Sequence, residues 1–489
     1  MKLLKDILYR TGIEEVMGST NIAIENLCTD SREVARFSLY IAMRGTVNDG
    51  HQFIEQAVTN GAVAVVCEEY PLTLVSGITY VKVKSTKTAL GNIASNFYDH
   101  PSSKLKLIGV TGTNGKTTVA TVLYDLFTKL GYSCGLISTV RNKINQQEIS
   151  ATHTTPDAIT LNRLLFQMVE KKCAYCFMEV SSHALDQGRV EAIEFKGGIF
   201  TNITHDHLDY HKTFDNYLRA KKKLFDMLKE GSFALVNADD KNARFMVHNT
   251  RAQIKTYALK STSDYKARII ENQIGGLHLM IDATELYTRF IGDFNAYNLL
   301  AVYATALLLG QEKMNVLTTL STVTPPDGRF QIVRGPKGIT AIIDYAHTPD
   351  ALENVLQTIR NIVQHEQKII TVVGCGGNRD KAKRPVMARV AARLSDKAIF
   401  TSDNPRNEKP EDIIAEMKAG LDTVEKLKVI SITDRKEAIQ QACVMAATND
   451  VILIAGKGHE KYQEVNGVKT HFDDVEEVNH AFKLMEQNI

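Results

Sequence analysis

Short apolar runs bounded by Gly, Pro, Ser or Asp recur along the chain. They alternate with longer stretches in which apolar positions return every three or four residues. The first pattern predicts buried strands and the second amphipathic helices. Early in the chain it places strands at 38–43, 62–67 and 80–83 and a helix at 86–98. His100-Pro101-Ser102-Ser103 then reads as a linker, because proline disfavours helix and serine solvates a turn. Strands at 105–110, 177–180 and 198–201 follow, interleaved with helical stretches, and 267–281 alternates residue by residue as strands added late. Pro325-Pro326-Asp327-Gly328 marks a second break. Beyond it, strands at 341–343, 369–373, 398–401, 429–432 and 451–455 repeat a strand-then-helix order. The prediction is an α/β protein of three domains, 1–102, 103–328 and 329–489, the last two built on parallel sheets. Ligand groups are expected at the carboxyl ends of the strands.

Composition narrows the function without changing this picture. The 489 residues are 44% hydrophobic and 23% charged, ordinary values for a globular protein of about three domains. A net charge of +2 gives no basic field, so no nucleic-acid partner is expected. No apolar run reaches the roughly 20 residues that span a bilayer, and residues 1–10 lack the apolar segment of a signal peptide. Seven scattered cysteines fit a reduced, cytoplasmic protein. Cys173 and Cys176 have CxxC spacing but no second pair, which argues against a metal there.

The strongest chemical signal is Gly109-Val110-Thr111-Gly112-Thr113-Asn114-Gly115-Lys116-Thr117-Thr118, set between a predicted strand and a predicted helix. Glycines let successive N–H groups converge on phosphate, and the helix N-terminus adds positive potential. Lys116 would reach the terminal phosphates, and Thr117 would ligate Mg²⁺. The strict spacing of such a loop puts glycine where Val110 stands. Glu179 closes an apolar strand, where a carboxylate suits Mg²⁺; the alternative is a first-turn acid beside a Ser181 or Ser182 helix cap. His205, His207 and His211 cluster with Asp206 and Asp209 at a spacing that fits no standard zinc motif. Lys221-Lys222-Lys223, taken alone, reads as a solvated face.

Six motifs, in order, carry a resemblance: Thr111–Thr118, Glu179–His183, Asn202–His207, Gly292–Asn298, Asp344–His347 and Asp403–Arg406. With Asp30-Ser-Arg32 and Gly456-Lys-Gly-His-Glu460, they make nearly the whole chain resemble the Mur ligases of peptidoglycan synthesis. The branch it resembles most adds the third stem-peptide residue, and the Asp-Asn-Pro-Arg run is similar to that of the enzymes using meso-diaminopimelate. The alternatives are the same reaction with L-lysine, or a folylpolyglutamate-type ligase.

The resemblance implies an N-terminal UDP-binding domain, a central phosphate-loop ATPase domain and a C-terminal Rossmann-like domain. It also implies ATP, Mg²⁺ and UDP-MurNAc-L-Ala-D-Glu as ligands of a monomer. By the same resemblance, Gly112 to Thr118, Asn295, Asn298, Asp344 and His347 would serve ATP, although Asn295 and Asn298 can equally be helix-capping residues. Thr117, Glu179, His207 and Lys221, the last as a carbamate, would hold metal, with Lys116, Lys221 and His207 catalytic. Ser31, Thr46, Val47 and Asn48 would bind the uridine diphosphate. Thr154, Thr155, Ser181, Gln187 and Arg189 would bind the muramoyl dipeptide, with His153 standing where Asn is expected. Arg379, Asp403, Asn404, Pro405, Arg406, Gly456 and Glu460 would receive diaminopimelate, whose second carboxylate suits Arg406.

Overall fold

The computed structural model describes residues 1–45, 48–151 and 153–487. Three main sheets follow one another along the chain. The first has five strands in the order Ile13–Met17, Thr79–Val83, Ala62–Cys67, Ser38–Ile41 and Asn26–Cys28; only Ile13–Met17 runs antiparallel. The predicted helix at 86–98 is Thr86–Phe97, capped by Ser85. The segment read as a solvated linker differs from expectation. It is the 3-10 turn Pro101–Lys104, with Pro101 and Ser102 buried, and the Ser102 hydroxyl accepts from the Glu194 N–H at 3.1 Å. The turn is thus packed onto the second domain.

The second sheet has eleven strands, with Lys106–Thr111 near its middle and Tyr175–Glu179 and Gly197–Phe200 as parallel neighbours. The 267–281 alternation is the hairpin Tyr265–Gln273 and Gly276–Ile281, with Thr284–Thr288 outside it as the edge strand. The pattern did not predict the hairpin Asn142–Ile144 and Gln147–Ile149 at the other edge. Helices Lys116–Lys129 and Asp293–Leu308 bury Val119, Leu123, Phe127 and Leu300 on one face. Helices Ala158–Glu170 and Phe214–Asp226 cover the opposite face with Leu161, Leu165, Leu224 and Phe225. Burial on both faces explains why the strands read as unbroken apolar runs.

The third sheet has six strands in the order Gln331–Arg334, Thr340–Asp344, Val451–Ala455, Ile369–Val373, Lys397–Phe400 and Val429–Ser431, parallel except for the first. Residues 344, 374–379, 401–406 and 456–460 therefore all leave the carboxyl ends of strands on one rim. Under this sheet Arg435, fully buried, pairs with the equally buried Asp474 at 2.7 Å. The pair ties the last helix, Asp474–Gln487, to helix Arg435–Met445. Among the described residues no helix is long and apolar enough to cross a membrane, and all seven cysteines are free and buried.

Removing one partner of a fully buried pair leaves an uncompensated charge. Asp474→Ala should cost about 3–5 kcal/mol, read as the urea midpoint of the transition that unfolds the C-terminal domain. Replacing both Arg435 and Asp474 by leucine should recover most of that loss.

Candidate active site

A cavity of about 1160 Å³ opens between the second and third sheets. Its lining brings together the phosphate loop, Glu179, the 201–208 loop, Lys221, Asn295, Asn298, Asp344, His347, Arg379, Asp403, Asn404, Arg406, Gly456 and Glu460. Thr154 and Ser181 reach it as well, whereas Ser31, Asn48, Thr155, Gln187, Arg189 and Pro405 are not in the lining. Thr46 and Val47 lie outside the described residues.

The phosphate loop leaves the strand at Thr111 and enters helix Lys116–Lys129. Its departure from the usual glycine spacing has a local cause. Gly109 belongs to the strand, where a Cβ would come within 2.9 Å of the Phe195 ring, and Val110 is core. The turning residue is Gly112, at φ +151°, where a Cβ would lie 1.9 Å from Thr201 Oγ1. Thr201 and Asn202 hold the loop from the neighbouring strand end. The Thr201 hydroxyl donates to the Asn114 carbonyl at 2.6 Å, and the Asn114 N–H donates to Asn202 Oδ1 at 3.0 Å. Lys116 folds back in this structure, donating to the carbonyls of Gly112 at 2.9 Å and Thr113 at 2.8 Å.

Lys221 is not on the solvated face that its neighbours suggested. It is fully buried while Lys223 is exposed, because successive helical residues turn by about 100°. Its ammonium donates to the Gly112 carbonyl at 2.7 Å and lies 4.6 Å from the Tyr217 ring centroid. Burial, aided by the charge of Lys116, holds its pKa well below the ordinary lysine value. His207 occupies the left-handed region at φ +54°, 4.7 Å from His183, and burial lowers its pKa to about 4. The imidazole is therefore neutral near pH 7, with a lone pair available to a metal. Asp206 sits 3.4 Å from it; burial opposes its ionisation, but the charges of His207, His347 and Lys116 prevail and keep its pKa low.

Glu179 ends its strand beside Val110, just ahead of the loop. Its two carboxylate oxygens accept from the Thr139 N–H at 2.8 Å and hydroxyl at 3.1 Å. It is a strand residue, while Ser181 separately caps the short helix Ser182–Asp186. Among the described residues no group of three His, Cys, Asp or Glu could hold a metal by itself. Thr117 and Glu179 nevertheless offer the hard oxygen donors that suit Mg²⁺, which takes most of its ligands from phosphate and water. Asn295 and Asn298 do not cap their helix. Asn295 donates to the Ile291 carbonyl at 2.8 Å, and Asn298 donates to Asn295 Oδ1 at 3.1 Å.

Beside Glu179, the Thr155 hydroxyl donates to the Glu179 carbonyl at 2.8 Å, and Arg189 donates to the Thr155 carbonyl at 2.9 Å and to Gln187 Oε1 at 2.6 Å. Thr155, Ser181, Gln187 and Arg189 thus form one patch, with Thr154 joined to it through Thr139. His153 is exposed. Ser31 is remote from this network; its hydroxyl donates to Gln56 at 2.8 Å.

The C-terminal rim is densely bonded. The Asn404 amide donates to Glu460 at 2.7 Å, and the buried Lys457 donates to Asn404 Oδ1 at 3.0 Å. Burial and the nearby Asp403 raise the Glu460 pKa. Arg406 donates to the Gly377 carbonyl at 2.8 Å and approaches Glu464 at 3.6 Å, so its guanidinium already has partial compensation. Gly377 permits this arrangement, since a Cβ there would meet the Pro405 carbonyl at 1.8 Å. Arg379 is exposed at the same rim.

Residues 23–98 match the family model "Mur ligase family, catalytic domain", 110–306 "Mur ligase middle domain" and 328–458 "Mur ligase, glutamate ligase domain". The chain belongs to the Mur ligase family. A relative from Cytophaga hutchinsonii, named UDP-N-acetylmuramoyl-L-alanyl-D-glutamate--2,6-diaminopimelate ligase, is 56% identical over 96% of this chain and 97% of its own. One of the same name from Bacteroides fragilis is 54% identical over 98% and 99%. A solved structure of that ligase aligns with TM-score 0.69 and 31% identity over 99% of both chains. The MurF ligase of Thermotoga maritima in complex with ADP shares the fold, with TM-score 0.63 and 18% identity over 95% of this chain and 98% of that one.

This Mur ligase also holds, at the cleft wall or behind it, residues that the motifs did not single out; of the three, Arg329 lines the cleft. Arg329 Nη2 donates to Thr117 Oγ1 at 3.0 Å and stacks on Tyr345, although it follows a segment that reads only as a break. Lys457 lies inside a quoted motif, but its burial was not legible there. His459 packs on Tyr345, and burial lowers its pKa from 6.5 to about 3.

The folded Mur ligase therefore resists protonation at His459 while the unfolded chain accepts a proton below about pH 6.5. This contribution to stability is intact above that pH and declines as pH falls toward 3. Urea midpoints should drop between about pH 7.5 and about pH 5, and His459→Gln should make the drop shallower.

Proposed function

We propose that this chain is an ATP-dependent ligase that joins meso-diaminopimelate to the D-glutamyl residue of UDP-MurNAc-L-Ala-D-Glu, with release of ADP and phosphate. The reading rests on one arrangement above all. A phosphate loop and a pocket holding Arg379, Arg406, Asp403 and Glu460 face each other across a single cavity. It is also the activity for which relatives more than half identical along the full length are named. We assign the three domains to residues 1–102, 103–328 and 329–489, with the uridine diphosphate on the first, and read the protein as a cytoplasmic monomer.

The chemistry is a γ-phosphoryl transfer to the D-glutamyl γ-carboxylate, followed by attack of the diaminopimelate amine on the acyl phosphate carbon and departure of phosphate. Lys116 exchanges the Gly112 and Thr113 carbonyls for the terminal phosphates, and the loop N–H groups hold the rest of the chain of phosphates. Mg²⁺ held by Thr117 and Glu179, and at a second position by His207 and carbamylated Lys221, would neutralise charge between the two anionic reactants. Asn295 and Asn298 border the adenine, and Asp344 and His347 the ribose and phosphates. Arg189, Gln187, Thr155, Thr154 and Ser181 bind the dipeptide, since a planar guanidinium matches a carboxylate. In the third domain Arg406 and Arg379 take the far carboxylate, Asp403 and Glu460 the far ammonium, and Asn404, Pro405 and Gly456 shape the pocket.

Burial favours the neutral form of the Lys221 amine, which is the form that adds CO₂ and, on losing one proton, becomes the carbamate anion. Lys221→Ala should be nearly inactive and partly restored by acetate, and intact-mass analysis of the wild type under bicarbonate should show the added CO₂. Full activity of the variant would refute the assignment.

Phosphate release by the purified enzyme should require both the UDP-dipeptide and meso-diaminopimelate, with L-lysine a poor replacement. Because Glu464 and Gly377 partly compensate Arg406, discrimination of about ten- to a hundredfold is expected. Arg406→Ala should lose diaminopimelate activity far more than ATP binding and narrow the gap to lysine. Equal use of lysine by the wild type would overturn the substrate assignment.

A further inference from the structure

Asp350 contacts the phosphate loop from the opposite domain. It is the second residue of helix Pro349–Ile362, which begins at the Thr348 cap just after His347. Its Oδ2 accepts from Asn114 Nδ2 at 2.9 Å and from Thr204 Oγ1 at 3.0 Å, and from Asn354 of its own helix at 3.3 Å. Asn114 is the middle of the phosphate loop, and Thr204 lies in the loop that carries Asp206 and His207. We propose that Asp350 is a positioning residue that docks the C-terminal domain onto the phosphate loop, so that the bound amine is brought to the acyl phosphate. The proposal rests on the ligase reading above.

An aspartate in the first turn of a helix is common, because it favours the positive end of the helix dipole. That local role requires no contact with another domain, yet here the same oxygen is aimed at two donors on the opposite wall. A carboxylate suits the task better than an amide, since hydrogen bonds to an ionised acceptor are stronger. The bonded turn also presents Asp344 and His347, so domain position and the nucleotide wall are set by one helix start. Arg329 on Thr117 makes a second contact from the same side, leaving Asp350 to fix the middle of the loop.

The test combines kinetics with a distance measurement. In Asp350→Ala, kcat/KM for meso-diaminopimelate should fall about tenfold or more, because two hydrogen bonds to a charged group are lost. The KM for the UDP-dipeptide and the thermal midpoint should stay near wild type, and Asp350→Asn, whose amide oxygen still accepts, should fall between. In an Asn114→Ala, Thr204→Val background the same substitution should add little, as expected for groups acting as one unit. Spin labels on the central and C-terminal domains should report longer distances in Asp350→Ala with ADP bound, a readout that does not depend on ligation. Wild-type kinetics in Asp350→Ala, an equal loss in both backgrounds, or unchanged distances would overturn the proposal. Wild-type protein without diaminopimelate-dependent phosphate release would instead count against the ligase reading, and the distances would still judge the docking.

Discussion

Two lysines share one carbonyl. Lys116 and Lys221 both donate to the oxygen of Gly112, one from the loop itself and one from a helix across the sheet. Each is lowered in basicity by burial, and each is further disfavoured by a neighbouring cation, Arg329 for Lys116 and Lys116 for Lys221. Among the described residues Lys116 is left with only carbonyl oxygens as hydrogen-bond partners, and the rest of the cleft is arranged around that shortage of negative charge. Glu179, Asp206 and Asp350 lie around it, and phosphate is the ligand that satisfies it best.

The sheets make this concentration of charge possible. In the central sheet, the strand ends at Thr111, Glu179 and Phe200 are neighbours, so loop, carboxylate and the 201–208 segment emerge together. In the third sheet the ends at Asp344, Val373, Phe400 and Ala455 do the same for the opposite wall. Neither wall alone brings the phosphate loop and Glu179 to face Arg379, Asp403, Arg406 and Glu460. The chemistry is a property of the gap between two rims.

Much of this was legible in the chain. Strands at 62–67, 369–373 and 451–455 fall on the predicted residues, because burial on both faces demands unbroken apolar runs. The hairpin Asn142–Ile149 was not, since its strands are short and carry Asn, Lys, Gln and Glu at an edge. Many of the motif residues line one cavity, whereas Ser31, Asn48, Thr155, Gln187, Arg189 and Pro405 do not, and contacts across domains carry no local signature. Arg329 looked like the sequel to a proline break, and Lys221 looked like one of three solvated lysines. The helix phase that buries it, and the packing that sets Arg329 on Thr117, are decided by tertiary structure.

The main chain of Arg406 is held as tightly as its side chain. It sits at φ +53°, donates its N–H to the Glu464 carbonyl at 3.1 Å and receives the Asn466 N–H at 2.7 Å, so the hairpin Tyr462–Val465 and Val468–His471 borrows it as a bridging residue. A left-handed backbone is costly for any residue with a Cβ, and these two bonds hold it in place whatever the side chain is. The backbone of the pocket rim is thereby uncoupled from the guanidinium it presents. Two main-chain bonds hold the rim at position 406 independently of its side chain, so a substitution there meets a frame that is already fixed.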